Sequence, residues 1–250
     1  MSEELGSKEC SDIGNNDILN LIIKRKKISS SITNSTLNKM VGALKTILKY
    51  SPKITLEFSK LRESKKIIPT IPEVTYIKIF NHYRKYMKEN YAFRNYVFLK
   101  LLLDTGLRMN EMINLKPRDI DFNTSSIHVK VTKTDSQRYV CFTESTKQLL
   151  YKFIVTHTTN DYLFYDFKTN KKLTTSSVES FIHRLKNRLE IDVSITPHKW
   201  RHTFATNFIR QGGDLETLRL ILGHTNLKTT QKYLHLSKND IIANYMTVMK

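Results

Sequence analysis

Apolar residues recur at helical spacing along most of this 250-residue chain and alternate with polar ones in a single short stretch. From Asp17 to about Glu63 two or three short amphipathic helices can be drawn. One carries Leu19, Ile22 and Ile23, another Leu37, Met40, Val41, Leu44, Ile47 and Leu48. Farther on, Glu73 to Lys88 and Tyr91 to Leu103 have the same period, and Asp104, Thr105 and Gly106 stop the second. A helix over Leu107 to Leu115 would put Arg108 in its first turn. The rhythm then changes. Ile127, Val129 and Val131 alternate with polar residues, a polar turn spans Thr134 to Gln137, and Tyr139 to Phe142 completes a β-hairpin, with a third strand at Asp119 to Phe122. Helices resume at Ser145 to Thr156, at Thr175 to Leu189 and from Pro197 onward. The pattern predicts a mainly α fold with a small antiparallel β-sheet.

Punctuation divides the chain. Residues 1–16 are polar and without period, and read as a flexible tail. Residues 17–66 form a small helical domain. A linker at 67–72, marked by Pro69 and Pro72, leads to a larger domain at 73–250. With 40% hydrophobic residues, 12 Tyr and 12 Phe, a sizeable core is within reach, and only 7 Gly and 5 Pro argue against a β-sandwich or a disordered chain. The net charge of +18 changes the picture most, since it favours a polyanionic partner bound with steep salt dependence. Cys10 and Cys141 stand far apart, without metal-ligand spacing, as free thiols of a reducing compartment. No apolar run approaches the roughly 18 residues of a membrane span, and no signal-peptide pattern opens the chain, so a soluble cytoplasmic protein is expected.

The chemistry concentrates late in the chain. Thr196 is a good N-cap and Pro197 a good first helical residue. On the helix that follows, Trp200, Phe204 and Phe208 make a core-facing stripe, with His198, Arg201 and His202 mostly on the other side. His198 and His202 have the spacing of a zinc pair. However, zinc hydrolases put Glu directly after the first His; Lys199 stands there, and Arg201 between the two would oppose a divalent cation. No metal and no cofactor are expected. Asp214 caps a helix through Leu215, Leu218, Ile221 and Leu222, Gly223 ends it, and His224 follows at the turn. Tyr233 lies nine residues on, roughly two and a half helical turns along the next segment. Together Arg108, His198, Arg201, His224 and Tyr233 supply two fixed cations, two imidazoles and a phenol. The set suits attack by a phenolic oxygen on a phosphodiester, with arginines in place of metal ions holding the developing charge.

The segments TGLRMNE, TPHKWRHTFAT and LGHTNLKTTQKY resemble, in order and spacing, the signatures of the tyrosine site-specific recombinases, the phage integrase family. The resemblance spans about Pro72 to Lys250. It implies a two-lobed clamp on double-stranded DNA and strand cleavage through a 3′-phosphotyrosine. It further implies a homo-tetramer on paired recombination sites, serving integration, excision or resolution. Residue by residue it makes Arg108 and Arg201 the phosphate-gripping arginines, His198 the general base, His224 a phosphate hydrogen-bond donor and Tyr233 the nucleophile. Glu111 becomes a supporting acid. A phenol of pKa about 10 is ionised to roughly one part in a thousand at neutral pH, so the base has work to do.

The family's general-acid lysine sits in the hairpin. Lys133 at the tip is the expected one, although TKTDS lacks the usual glycine, and Lys130 competes from the strand. Arg184, Lys186, Arg188, Lys199, Lys228 and Lys232 are expected to track the DNA backbone. The amino-terminal domain is smaller than is common in the family, so either the clamp is reduced or an accessory protein supplies part of the grip. Two rivals share some of these features. A type IB topoisomerase uses a similar constellation without paired sites, and a DNA-binding accessory protein would have lost catalysis, which five occupied key positions argue against. An apolar stripe after the nucleophile, Ile241, Ile242, Tyr245, Met246 and Val248, is implied to dock on a neighbouring subunit.

Overall fold

A computed structural model of the chain describes residues 13–29, 31–48, 59–62, 69–130, 137–157 and 161–233. It separates into two compact units, 1–66 and 67–250.

In the first unit α1 (Asn15–Ile28) and α2 (Asn34–Leu48) meet along apolar stripes. On α1 the buried residues are Ile18, Leu21 and Ile22, whereas Leu19 and Ile23 face solvent, so the expected stripe is rotated by one position. Both registers offer the 3.6 period, and Ile18 decides because it packs with Leu37 and Val41. The helix also opens at Asn15, inside the stretch expected to be tail, where the Asp17 carboxylate accepts from Gly14 N–H at 2.9 Å. Asn38 fastens the chain's return, exchanging two hydrogen bonds with the Leu61 backbone at 2.9 Å each.

The second unit is organised around α4 (Asn90–Thr105). Phe93, Val97, Phe98, Leu99, Leu101 and Leu102 are all buried, leaving α4 almost no polar face. Such a helix must be covered on all sides. α3 (Glu73–Lys85), α6 (Glu144–His157) and α8 (Pro197–Arg210) pack against it, with α7 (Thr175–Arg188) contributing Phe181 beside Phe98. Trp200, fully buried on α8, donates from its indole N–H to Ile195 O at 3.0 Å. Ile71, within the expected linker, is buried too, and its N–H donates to Thr203 Oγ1 at 2.9 Å. The segment before α3 is thus tied to α8, because an apolar side chain beside two prolines still gains by leaving water.

The sheet is antiparallel in the order β1 (Ile120–Asp121), β2 (Ser126–Lys130) and β3 (Gln137–Cys141). Ile127 faces Val140, and Val129 faces Arg138. Ile127, Val129 and Val140 point to the core, so β3 alternation brings Arg138 to the buried side as well.

Two turns place the chemistry. α4 ends at Gly106 in the left-handed region, φ 60°. A Cβ there would come within 2.3 Å of the Phe204 ring, so only glycine fits. α9 (Leu215–Leu222), capped at its start by Asp214 Oδ1 accepting from Thr217 N–H at 2.8 Å, ends the same way at Gly223, φ 60°. The short α10 (Leu227–Thr230) follows and tightens into a 3₁₀ turn over Gln231–Tyr233, rather than running on as one helix. Arg108 is likewise the N-cap residue of α5 (Met109–Asn114), just outside the first turn where it was expected.

Candidate active site

Three guanidinium groups converge on the carboxyl end of α9. Arg138 Nε donates to Ile221 O at 2.7 Å, Arg201 Nη2 to Leu222 O at 2.6 Å, and Arg108 Nη2 to Gly223 O at 3.1 Å. The last carbonyls of a helix have no intrahelical partners and carry its negative end, so they are natural acceptors for cations. Arg201 also donates from Nη1 to Gly106 O at 2.6 Å. Both left-handed glycines therefore turn their carbonyls onto an arginine.

Arg201 was expected on the solvent side of α8. It is 6% exposed, seated between the ends of α4 and α9. Burial, and next the neighbouring charge of Arg108, pull its guanidinium down to about 10, which leaves it cationic at neutral pH. Arg108 is more open, with its side chain 40% exposed. Glu111 joins the cluster. Its Oε2 accepts from Arg108 N–H at 2.7 Å and Arg138 Nη2 at 2.7 Å, and its Oε1 from Arg108 Nη1 at 3.1 Å and Arg138 Nη1 at 2.9 Å. Burial alone would raise Glu111, but the Arg138 fork and charge, then the backbone and charge of Arg108, outweigh it and hold the carboxyl at about 2. A carboxyl depressed in this way adds stability that is complete above its ordinary 4.5 and is lost as pH falls toward 2, in all about 3 kcal/mol. In urea unfolding, the advantage of wild type over Glu111→Gln is expected to shrink by about that amount between pH about 5 and about 2. An advantage constant across the window would contradict this account.

His224 sits beyond Gly223. Its Nε2 lies 3.3 Å from Arg201 Nη2 and its Nδ1 3.0 Å from the buried Thr230 hydroxyl. A guanidinium has only protons to offer, so Nε2 accepts and Nδ1 carries the hydrogen. Tyr233 is 5% exposed, packed with Phe204, Ala205, Ile209, Leu218 and Leu222. Burial pushes its phenol up to about 12, against a smaller opposing pull from Arg201. Its hydroxyl lies 2.7 Å from His202 Nδ1.

Arg108, Glu111, Arg201, His224 and Tyr233 are thus brought together from segments more than a hundred residues apart. His198 lies exposed on α8, one turn before His202. Lys133 falls outside the described residues, as does the apolar stripe from Ile241. Lys130 ends β2 in solvent. Arg184 and Arg188 are exposed on α7 and Lys186 is half-buried. Lys199 donates to Pro69 O at 2.9 Å, and the side chains of Lys228 and Lys232 lie outside the described set. Among the described residues no group of three or more His, Cys, Asp or Glu is placed to hold a metal ion, and no helix is long and apolar enough to cross a membrane.

Two residues were missed from the sequence. Arg138 carried a signal, since it shares the inward register of Val140, and an arginine on a core face calls for a buried acid. His202 was weighed only as a metal ligand, and nothing local announces its contact with a tyrosine 31 positions on.

Comparison with known proteins bears on this arrangement. The model of the Phage integrase family matches residues 71–240. The chain is 39% identical to tyrosine recombinase XerA of Saccharolobus solfataricus over 153 residues, 61% of this chain and 50% of that protein. With tyrosine recombinase XerC of Staphylococcus aureus it shares 29% identity over 229 residues, 87% of this chain and 76% of the other. The chain therefore spans about half the length of the first relative and three quarters of the second. Its fold matches that of the Tn1549 transposon integrase, solved in complex with transposon right end DNA, with a TM-score of 0.77 at 19% identity, covering 98% of this chain and 88% of that one.

Proposed function

The chain belongs to the phage integrase family, and from that premise we propose that it is a site-specific recombinase that cuts and rejoins DNA strands through a 3′-phosphotyrosine. One observation carries the reading: Arg108 and Arg201 rest on the adjacent carbonyls of Gly223 and Leu222, with no carboxylate bound to Arg201 among its described contacts. Two guanidinium groups that repel each other at one spot favour an anion between them, and a backbone phosphate supplies two non-bridging oxygens.

The chemistry runs as a transesterification. Tyr233 Oη attacks phosphorus, the bond to the 5′ oxygen breaks, and the strand is left as a 3′-phosphotyrosine with a free 5′ hydroxyl. Arg108 and Arg201 hold the charge that builds on the phosphoryl oxygens, and His224 donates a hydrogen bond to one of them once its ring hydrogen stands on Nε2 instead of Nδ1. His202 holds the phenol in the DNA-free chain. His198, on the same helical face, accepts its proton once DNA is bound, and Lys133 protonates the leaving oxygen. Attack by a partner strand's hydroxyl reverses the step, and the phosphodiester bond energy is retained throughout. The exposed Lys24, Lys26 and Lys27 of α1 contact the DNA backbone, as do the basic residues of α7, with four protomers on two sites. The related Tn1549 integrase, solved with transposon DNA, supports DNA as the partner.

The test uses nicked duplexes tiled from the DNA flanking the encoding gene, incubated with the full chain in EDTA and denatured. A protein–DNA adduct is the expected result. Absence of any adduct across the tiles, with the duplexes bound, would overturn the reading.

A further inference from the structure

We propose that Arg138, on strand β3, is a positioning residue for Arg108, and that it acts through Glu111. The inference rests on the recombinase reading above and deepens it. Arg138 makes three charge-assisted contacts, two to the Glu111 carboxylate at 2.9 and 2.7 Å and one to Ile221 O at 2.7 Å. Its side chain is 9% exposed, and its stem lies against Gly223, where a Cβ would sit 3.0 Å from Arg138 Cδ. It therefore joins the sheet, the acid at the start of α5 and the end of α9, the elements whose relative placement sets where Arg108 points.

Two physical consequences follow. The first is geometric. Arg108 is a long side chain 40% exposed, and on its own it would sample many rotamers. Glu111 can restrain it only if the carboxylate plane is itself held, and a planar fork on both oxygens does that where a lysine could not. The second is electrostatic. With Arg138 in place, Glu111 divides its charge between two cations, so the cluster of Arg108, Arg138 and Arg201 keeps two positive charges in excess. Without it, the buried carboxylate has Arg108 as its remaining hydrogen-bonded cation and competes with the phosphate for it. Arg138 thus keeps Arg108 both aimed and available, at a distance from the reacting atoms.

A double-mutant cycle tests this on the duplex that gives the wild-type adduct. Arg138→Lys, which keeps the charge and loses the fork, is expected to slow adduct formation by on the order of 10²-fold with DNA affinity little changed. In an Arg108→Ala background the same change is expected to cost no more than about twofold. A merely structural role would lower both backgrounds alike, and equal losses, or a wild-type rate for Arg138→Lys, would overturn the proposal. Should Arg138→Lys fold poorly, the paired replacement Glu111→Gln with Arg138→Met removes the buried ion pair at similar volume. It is expected to melt near wild type yet cleave slowly, and wild-type cleavage would again overturn the proposal. If no wild-type adduct forms at all, it is the recombinase reading that fails. The positioning claim is then decided on the DNA-free protein, by the NMR signal of the Arg108 Nε–H group. A signal unmoved by Arg138→Lys overturns it; a signal that shifts and broadens supports it.

Discussion

Tyr233→Phe is expected to abolish covalent attachment to DNA, by about 10⁴-fold or more, while leaving the chain folded. The ring stays among Phe204, Leu218 and Leu222, so packing is kept while the hydroxyl, with its contact to His202, is lost. That loss should cost about 1 kcal/mol of stability, a small part of the total. The separation of the two effects makes the variant informative. An adduct that persisted would move the nucleophile to another of the 12 tyrosines. The phenol also needs more help than an ordinary tyrosine. Held at about 12, it is ionised to only about one part in 10⁵ at neutral pH, so attack requires both a proton acceptor and the nearby positive charge. On the proposed reading, the nucleophile waits buried and protonated until DNA arrives.

Arg201→Ala carries the second large effect, a fall in strand cleavage of about 10³-fold with most DNA binding retained. Binding draws on many phosphate contacts, whereas on the proposed reading one buried guanidinium serves the phosphate that reacts. Arg201→Lys is expected to rescue little, because an ammonium cannot reach Gly106 O and Leu222 O as a fork and still face an anion. Both variants leave carbonyls short of a donor, at about 1–3 kcal/mol for each buried group, so melting curves must accompany the rates. Parallel loss of binding and cleavage would refute a catalytic role. Wild-type cleavage by the lysine variant would instead show that charge alone is needed at this position.

Much of the architecture was legible along the chain. The helices at Glu73, Asn90, Thr175, Pro197 and Leu215 and the hairpin follow from period and from start signals such as Pro197 and Asp214. The errors share a cause. Leu19 and Ile23 belong to a stripe that reads equally well one position over, and only a packed partner selects the register. Arg201 read as a solvent-face residue because helical angle places it beside polar neighbours. The ends of two other helices then close over it. Ile71 read as linker because prolines flank it, yet it enters the core.

The sequence by itself determined which residue types are present and in what order: two arginines, imidazoles and a tyrosine spaced like a family signature, in a chain of strong positive charge. That information is local, carried by spacing and by side-chain chemistry. Tertiary structure alone decided that the carboxyl end of α9 gathers three guanidinium groups on successive carbonyls. It also brought Arg138 from the sheet to steady Glu111, and set His202 rather than His198 against the Tyr233 hydroxyl. Those contacts join residues up to 115 positions apart. They exist because buried charges and unpaired carbonyls must find partners wherever the folded chain supplies them.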